Sequence, residues 1–331
     1  MENYPFISII IPVKNEERFM EYCLQSIKAQ NYPEDRYEII ISDGLSDDST
    51  PAIAENMGAI VITNHKQTVS PGRNIGFEYA RGDIIAFTDA DCVMDRDWLR
   101  NCVKYFNRDD KVACVGGPNI TPDSESSFGK AVGFVFGQGI FAAGSIHARE
   151  LVYEKEVSSI PGCNAIYRRT VLEKVMPIDE TLLTCDDTQL NRKIIDMGYR
   201  LLYTPDVIVY HFRRPTPKKL WKQMYRYAIG RLQVGKRDRR MINIVHIGVG
   251  LSLPVIFMLL SVIYMSDPFY LVIIGGTALI FMLFFSVLGI LKWRSITVGF
   301  NIPFVILIIM TSWSCGFIRE LLFPMKRVEG R

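Results

Sequence analysis

Two pairs of carboxylates are spaced for chemistry. Asp89 and Asp91, separated by Ala90, close the apolar run Ile84-Ile85-Ala86-Phe87-Thr88, and Asp186 with Asp187 precedes a run of helical periodicity. Ionised Asp residues one apart at the end of a buried strand repel each other. A divalent cation that also neutralises a diphosphate offsets that repulsion most simply, although a strand followed by a capped turn has the same local sequence. For the second pair, Asp186 as N-cap and Asp187 in the first turn of a helix from Thr188 to Met197 is an adequate structural account. A general base is the chemical one.

The elements that would position these groups repeat. Ile7 to Val13 is an unbroken β-branched strand. Lys14-Asn15-Glu16-Glu17 then leads into Phe19, Cys23, Leu24 and Ile27 at helical spacing. Glu38 to Ser42 is a second strand ending in the acidic turn Asp43 to Asp48, with Ser49 or Thr50 capping a helix that carries Pro51 in its first turn. Ala59 to Thr63 predicts a third strand, Pro71 to Ala80 a helix and Asp83 to Thr88 a fourth strand. This alternation predicts an α/β fold with a mostly parallel central sheet, and in such sheets ligands bind beyond the carboxyl ends of the strands. Lys14 to Glu16, Asp43 to Asp48 and Asp89 to Asp91 should therefore converge on one crevice. A helix from Asp97 to Asn107, a strand from Val112 to Gly117, and two closing strands, Arg200 to Tyr203 and Val207 to Tyr210, split by Pro205, follow. The apolar stripe Phe128, Val132, Val135, Phe136 and Ile140 reads as core packing rather than a lipid-facing surface. His211, at the end of the last strand, is a candidate third metal ligand or diphosphate contact, with a structural histidine as the bland alternative.

The order Ile10-Ile11-Pro12-Val13-Lys14-Asn15-Glu16, then Asp43-Gly44-x-Ser46-x-Asp48-x-Thr50, then Gly72-Arg73-Asn74-x-Gly76 with Ala80-x-Gly82-Asp83, then Asp89-x-Asp91 resembles the inverting family 2 glycosyltransferases with a GT-A (Rossmann-like) nucleotide-sugar domain. The resemblance implies that Pro12, Val13, Asn15, Glu16 and Asp43 contact the base and ribose of a UDP- or GDP-sugar. It implies that Arg73 faces the diphosphate, that Asp89, Ala90 and Asp91 contact the nucleotide-sugar, and that Asp91, with Asp89, holds Mg2+ or Mn2+ on its diphosphate. Gly162 and Asn164 would flank the incoming hydroxyl. The family's acidic pair, usually Glu-Asp, supplies the base through its second member, here Asp187; Asp186 in place of Glu leaves the division of labour between the two open. Gln223-x-x-Arg226-Tyr227 resembles the Gln-x-x-Arg-Trp element of membrane-bound relatives, where the arginine and aromatic line the acceptor and diphosphate pocket. Neither a Gly-x-Gly-x-x-Gly after the first strand nor a P-loop occurs.

The 331 residues are 49% hydrophobic, unevenly so, with the long apolar runs after Met241. The expected domains are a cytosolic catalytic domain over 1–215, a basic amphipathic interfacial helix over 216–240 and a membrane domain over 241–331. Lys218 to Arg240 carries Leu220, Trp221, Met224, Tyr225, Ala228 and Leu232 at three- and four-residue steps among Lys and Arg, which predicts a helix lying on anionic membrane lipids. Ile242 to Met265, Pro268 to Leu291 and Ile296 to about Phe317 are each long enough to cross a bilayer. The tail charges Arg319, Lys326, Arg327 and Arg331 oppose three full crossings, so either the third run is re-entrant or the basic stretch before the first overrules them. A net charge of +3 and the adjoining apolar runs favour membrane over nucleic acid. The seven scattered Cys suggest neither a zinc site nor a disulfide frame, and the N-terminus lacks the pattern of a cleavable signal. The resulting expectation is a multi-pass cell-membrane glycosyltransferase acting on a lipid-linked, polyprenyl-type acceptor. A processive polysaccharide synthase is the alternative within the class, and a non-catalytic scaffold the alternative outside it. Sequence is silent on oligomeric state.

Overall fold

A computed structural model describes residues 4–139 and 150–325. Strand β1 (Ile7–Val13) is buried along its whole length, which is why it reads as an unbroken apolar run: helices cover both of its faces. Helix α1 (Glu17–Lys28) buries Met20, Cys23, Leu24 and Ile27 on one side. Then β2 (Tyr37–Asp43), α2 (Thr50–Asn56), β3 (Ile60–Thr63), α3 (Val69–Tyr79) and β4 (Ile84–Thr88) repeat the unit. All pairings among these four strands are parallel. Helix α3 lies so close to β1 that a Cβ on Gly76 would come within 2.4 Å of Ile10 Cγ2, and glycine there is what allows the approach.

The chain continues through β5 (Cys92–Met94), α4 (Trp98–Phe106), β6 (Val112–Gly116), β7 (Asn119–Ile120), α5 (Ser127–Gly137), β8 (Lys155–Val157), β9 (Asn164–Arg168), α6 (Arg169–Leu172), α7 (Asp186–Asp196), β10 (Arg200–Tyr203) and β11 (Val209–His211). The large sheet has the order β3-β2-β1-β4-β9-β6-β10-β8, and a small second sheet the order β5-β11-β7. Strand β9 runs antiparallel to both β4 and β6, so the sheet is mixed. The two strands flanking Pro205 do not close one sheet: β10 pairs with β6 and β8, whereas β11 pairs with β5 and β7.

Five helices follow: α8 (Pro217–Arg237), α9 (Ile244–Gly250), α10 (Ser252–Ser266), α11 (Phe269–Trp293) and α12 (Ile296–Leu322). Helices α11 and α12 are long and apolar enough to span a membrane, with mean hydropathy 2.6 and 1.9. The first apolar run is not one straight helix. Helices α9 and α10 meet at 57°, a broken span or a re-entrant turn. Ser314 of α12 serves the break, its Oγ donating to Gly250 O at 2.8 Å and accepting from Leu253 N–H at 3.3 Å. The third run, where sequence allowed re-entry, is instead a continuous helix carrying Pro303. Lys326, Arg327 and Arg331 lie outside the described residues.

Helix α8 also departs from expectation. Its apolar residues Leu220 and Met224 pack in one cluster with α5 and with Val298, Ile302 and Val305 of α12, leaving little of that face for lipid. Its C-terminal cations are spoken for within the protein: Lys236 pairs with the buried Glu320 at 3.2 Å, Arg237 with Asp179, and the following Arg240 with Asp196 at 2.9 Å. The α5 stripe is core packing, as expected: Val132 and Val135 are buried and Phe128 and Phe136 pack against the same cluster, with α12 as its partner; Ile140 lies outside the described residues.

Candidate active site

The carboxyl end of β1 turns sharply, with Asn15 in the left-handed region at φ 56°. The turn is laced to the loop after β2. Asn15 N–H donates to Ser46 Oγ at 2.9 Å, Glu16 N–H to Thr50 Oγ1 at 2.9 Å, and Asp47 N–H to Asn15 Oδ1 at 3.0 Å. Asp43, opposite Val13 in the sheet, accepts from Ser46 N–H through Oδ2, while its Oδ1 is buried without a partner. Asp43 itself does not line the crevice that Pro12, Val13 and Asn15 face.

Beyond β4, Asp91 is only 5% exposed. His211 Nε2 lies 3.3 Å from its Oδ1, and Arg214 Nη1 donates to its Oδ2 at 2.9 Å. Burial alone would raise the Asp91 carboxyl; His211 and then Arg214 hold it below the usual range. Burial would conversely lower His211, and Asp91 holds it up at about 9. Asp89 is different. Burial pushes its carboxyl up to about 7, and Arg73 at 3.4 Å offsets only part of that. Burial, then Asp91, push the neighbouring Glu16 to about 7 as well. Asp89 and Asp91 bring hard oxygen donors to one crevice with Glu16, a donor chemistry that fits a divalent ion such as Mg2+ or Mn2+.

The second acidic pair is placed by a strained turn. Cys185 adopts left-handed angles (φ 65°), and α7 begins at Asp186 itself, so Asp186 is the first helical residue and not the cap. Asp187 Oδ2 accepts from Gly162 N–H at 3.1 Å, and its Oδ1 accepts from Thr188 N–H at 2.6 Å. Burial, then the charge of Asp186, raise the Asp187 carboxyl, the direction a base working near neutral pH needs. Arg73 joins the two pairs, with Nη1 donating to Asp186 Oδ2 at 2.9 Å, Nη2 to Asp89 Oδ1 at 3.4 Å, and the guanidinium 5.4 Å from the Phe87 ring centroid. Both pairs thus face a single crevice of about 1420 Å3, lined also by Pro12 to Glu16, Ala90, Gly162, His211, Gln223, Arg226 and Tyr227.

Three of the expected site residues are engaged by partners within the protein. Arg73 bridges two carboxylates, is 4% exposed and lines the crevice, so it sets the spacing of the acidic pairs. His211 is the ion-pair partner of Asp91 and lines the same crevice. Asn164 does not reach the crevice: antiparallel insertion of β9 turns it inward, where Trp98 Nε1 donates to its Oδ1 and its Nδ2 donates to Val207 O. Sequence reading missed Arg214, although it follows His211 closely. It also missed Lys219 and Lys222, which line the crevice from α8. Cys92, Cys163 and His211 place sulfur and nitrogen atoms within 4.8 Å of one another, but Arg213 Nη1 sits 3.2 Å from His211 Nδ1, where a bound cation would meet it.

Gly162 is required by the approach of Arg73, since a Cβ there would lie 2.5 Å from both Nη atoms. Gly162→Ala is expected to displace the guanidinium and with it Asp186 and Asp89, lowering kcat on the order of 100-fold. A kinetic comparison on folded protein checks this, with metal-dependent donor binding expected to weaken in parallel.

A mixed sheet of this order, with acidic residues gathered at the carboxyl ends of its strands, is the GT-A arrangement of nucleotide-sugar transferases. The chain belongs to glycosyl transferase family 2, whose model matches residues 8–176. It is 30% identical over 247 residues, 71% of this chain and 76% of the relative, to glycosyltransferase AglE of Haloferax volcanii. It is 27% identical over 272 residues, covering 78% and 81%, to a dolichyl N-acetyl-α-D-glucosaminyl phosphate 3-β-D-2,3-diacetamido-2,3-dideoxy-β-D-glucuronosyltransferase of Methanococcus voltae. The fold is shared with a mannosyltransferase of Pyrobaculum calidifontis solved with GDP-mannose and Mn2+, at TM-score 0.68 and 20% identity over 96% of this chain and 88% of that one. The protein is therefore a glycosyltransferase with GT-A architecture. The family match ends before Asp186, so the second acidic pair and α8 rest on the geometry alone.

Proposed function

We propose that the protein is a membrane-anchored, divalent-metal-dependent inverting transferase that moves a sugar from a UDP- or GDP-sugar to a hydroxyl on a lipid-linked acceptor. The observation that carries this is the convergence of Asp89, Asp91, Asp186 and Asp187 on one crevice through Arg73. The M. voltae relative is named for a dolichyl-linked acceptor, and the P. calidifontis structure for GDP-mannose and Mn2+; both agree with the reading.

Pro12 to Glu16 would receive the base and ribose. Asp89 and Asp91 would hold the ion, which when bound neutralises the charge that develops on the leaving diphosphate. Arg214, Lys219 and Lys222 add positive charge to the same crevice. Asp187 takes the proton from the acceptor hydroxyl on the opposite face, its orientation fixed by the Gly162 N–H. The catalytic domain over 1–215 would lie at the cytosolic face of the cell membrane, with 241–331 as a multi-pass anchor and α8 joining them.

A panel of UDP- and GDP-sugars tested for Mn2+-dependent thermal stabilisation of the purified protein identifies the donor, because a ligand that binds only the folded state raises Tm. No stabilisation by any nucleotide with metal would overturn the reading. The raised Asp187 carboxyl also sets a pH dependence. The base works only when ionised, so kcat should fall as pH drops through a pKa above the ordinary Asp value. A kcat profile flat down to the range of an unperturbed Asp would remove Asp187 from that role.

A further inference from the structure

The crevice does not end at Asp187. It continues between α8, α9 and α12, where its lining turns basic and then apolar. Arg231 of α8 donates Nη1 to Met241 O at 3.1 Å, while its Nε is buried without a partner. Among the described residues no carboxylate lies within ion-pair distance of it. Facing the same space is His246 of α9, 7% exposed. Its Nδ1 accepts from Asn243 N–H at 3.1 Å, which puts the ring proton on Nε2. Its ring stacks on Trp313 of α12 with centroids 5.8 Å apart and planes at 16°. Val245, Val249, Ile309 and Met310 then line the crevice on the side of the apolar helices.

A guanidinium with unused N–H groups beside an imidazole N–H suits a phosphate oxyanion. An apolar wall continuous with helices built for lipid suits a hydrocarbon chain. The two occur together here, with Arg231 within electrostatic reach of Asp187. We propose that Arg231, His246 and Trp313 form a separate subsite that binds the phosphate of the acceptor lipid, with its chain leaving between α9 and α12. This deepens the acceptor half of the proposed function and is independent of the donor half. Arg226, whose side chain has no carboxylate partner among the described residues, lines the same crevice and extends its positive surface.

The test uses the full chain in detergent micelles and farnesyl phosphate as probe, with farnesol and inorganic phosphate as the arms that separate chain from anion. Tryptophan emission reports binding. Farnesyl phosphate should bind more tightly than either control. Arg231→Gln should weaken it about 10- to 100-fold, the effect of losing hydrogen bonds to a charged group, and Arg231→Lys should recover part of the loss. Should Arg231→Gln lose its cooperative melt, His246→Gln is read in its place and should weaken binding in the same direction. Wild-type affinity in the Arg231→Gln protein, or equal binding of farnesol, overturns the subsite; equal binding of inorganic phosphate leaves an anion site with no role for the lipid chain and overturns it too. Mn2+-dependent stabilisation by UDP or GDP, measured on the same proteins, keeps the two readings apart. Its loss everywhere with Arg231 dependence intact sinks the donor assignment alone, and its persistence without Arg231 dependence sinks the subsite alone.

Discussion

Asp91→Asn is expected to abolish sugar transfer, with a loss of at least about 1000-fold, together with metal-dependent donor binding. Asp91 is nearly inaccessible, and its two oxygens face His211 and Arg214. The amide keeps the shape but removes the charge, leaving two cations opposite a neutral group and one carboxylate fewer for a divalent ion. Breaking such a buried arrangement also costs stability, about 3–5 kcal/mol where one partner is removed outright. Tm must therefore be measured alongside activity, and donor affinity compared with and without EDTA in protein shown to be folded. If the Asp91→Asn protein binds donor as wild type does, indifferent to EDTA, the metal role assigned to this position is wrong.

The second large effect is at Asp187 and has a different signature. Asp187→Asn should lower kcat by about 100- to 10,000-fold, the usual contribution of a positioned base, while leaving donor affinity nearly unchanged. An Asn Oδ1 can still accept from the Gly162 N–H, so the strained turn at Cys185 and the start of α7 should survive. What disappears is the capacity to take a proton. Nucleotide-binding titrations paired with single-turnover rates separate the outcomes. A fall in donor affinity as large as the fall in rate would mean that Asp187 holds substrate and is not the base.

The two variants bear on two ends of the same crevice, and Arg73 connects them. A helical arginine at position 73 reads from sequence as a cation awaiting an anionic ligand, because its position near a helix start opposes the dipole. Its anions turn out to be Asp89, 16 residues away, and Asp186, 113 residues away. No local pattern encodes that partnership. The same holds for the charges of α8. Sequence shows a basic, amphipathic helix and supports lipid binding; the fold assigns Arg237 and Arg240 to carboxylates of the catalytic domain and turns Lys219, Lys222 and Arg226 toward the crevice.

By itself, the sequence determined the alternation of strands and helices, the parallel half of the sheet, the convergence of strand ends and the presence of membrane-type helices, because all of these follow from hydrophobic periodicity and turn chemistry within short windows. It also marked both acidic pairs. Tertiary structure alone decided that β9 enters antiparallel and buries Asn164, that His211 pairs with Asp91, that the first apolar run breaks at Leu251, and that α12, long and apolar enough to span a membrane, also forms one wall of the crevice. These outcomes depend on which distant segments meet. The energy of such meetings lies in desolvated charge pairs and close packing between residues far apart in the chain, which no local window contains.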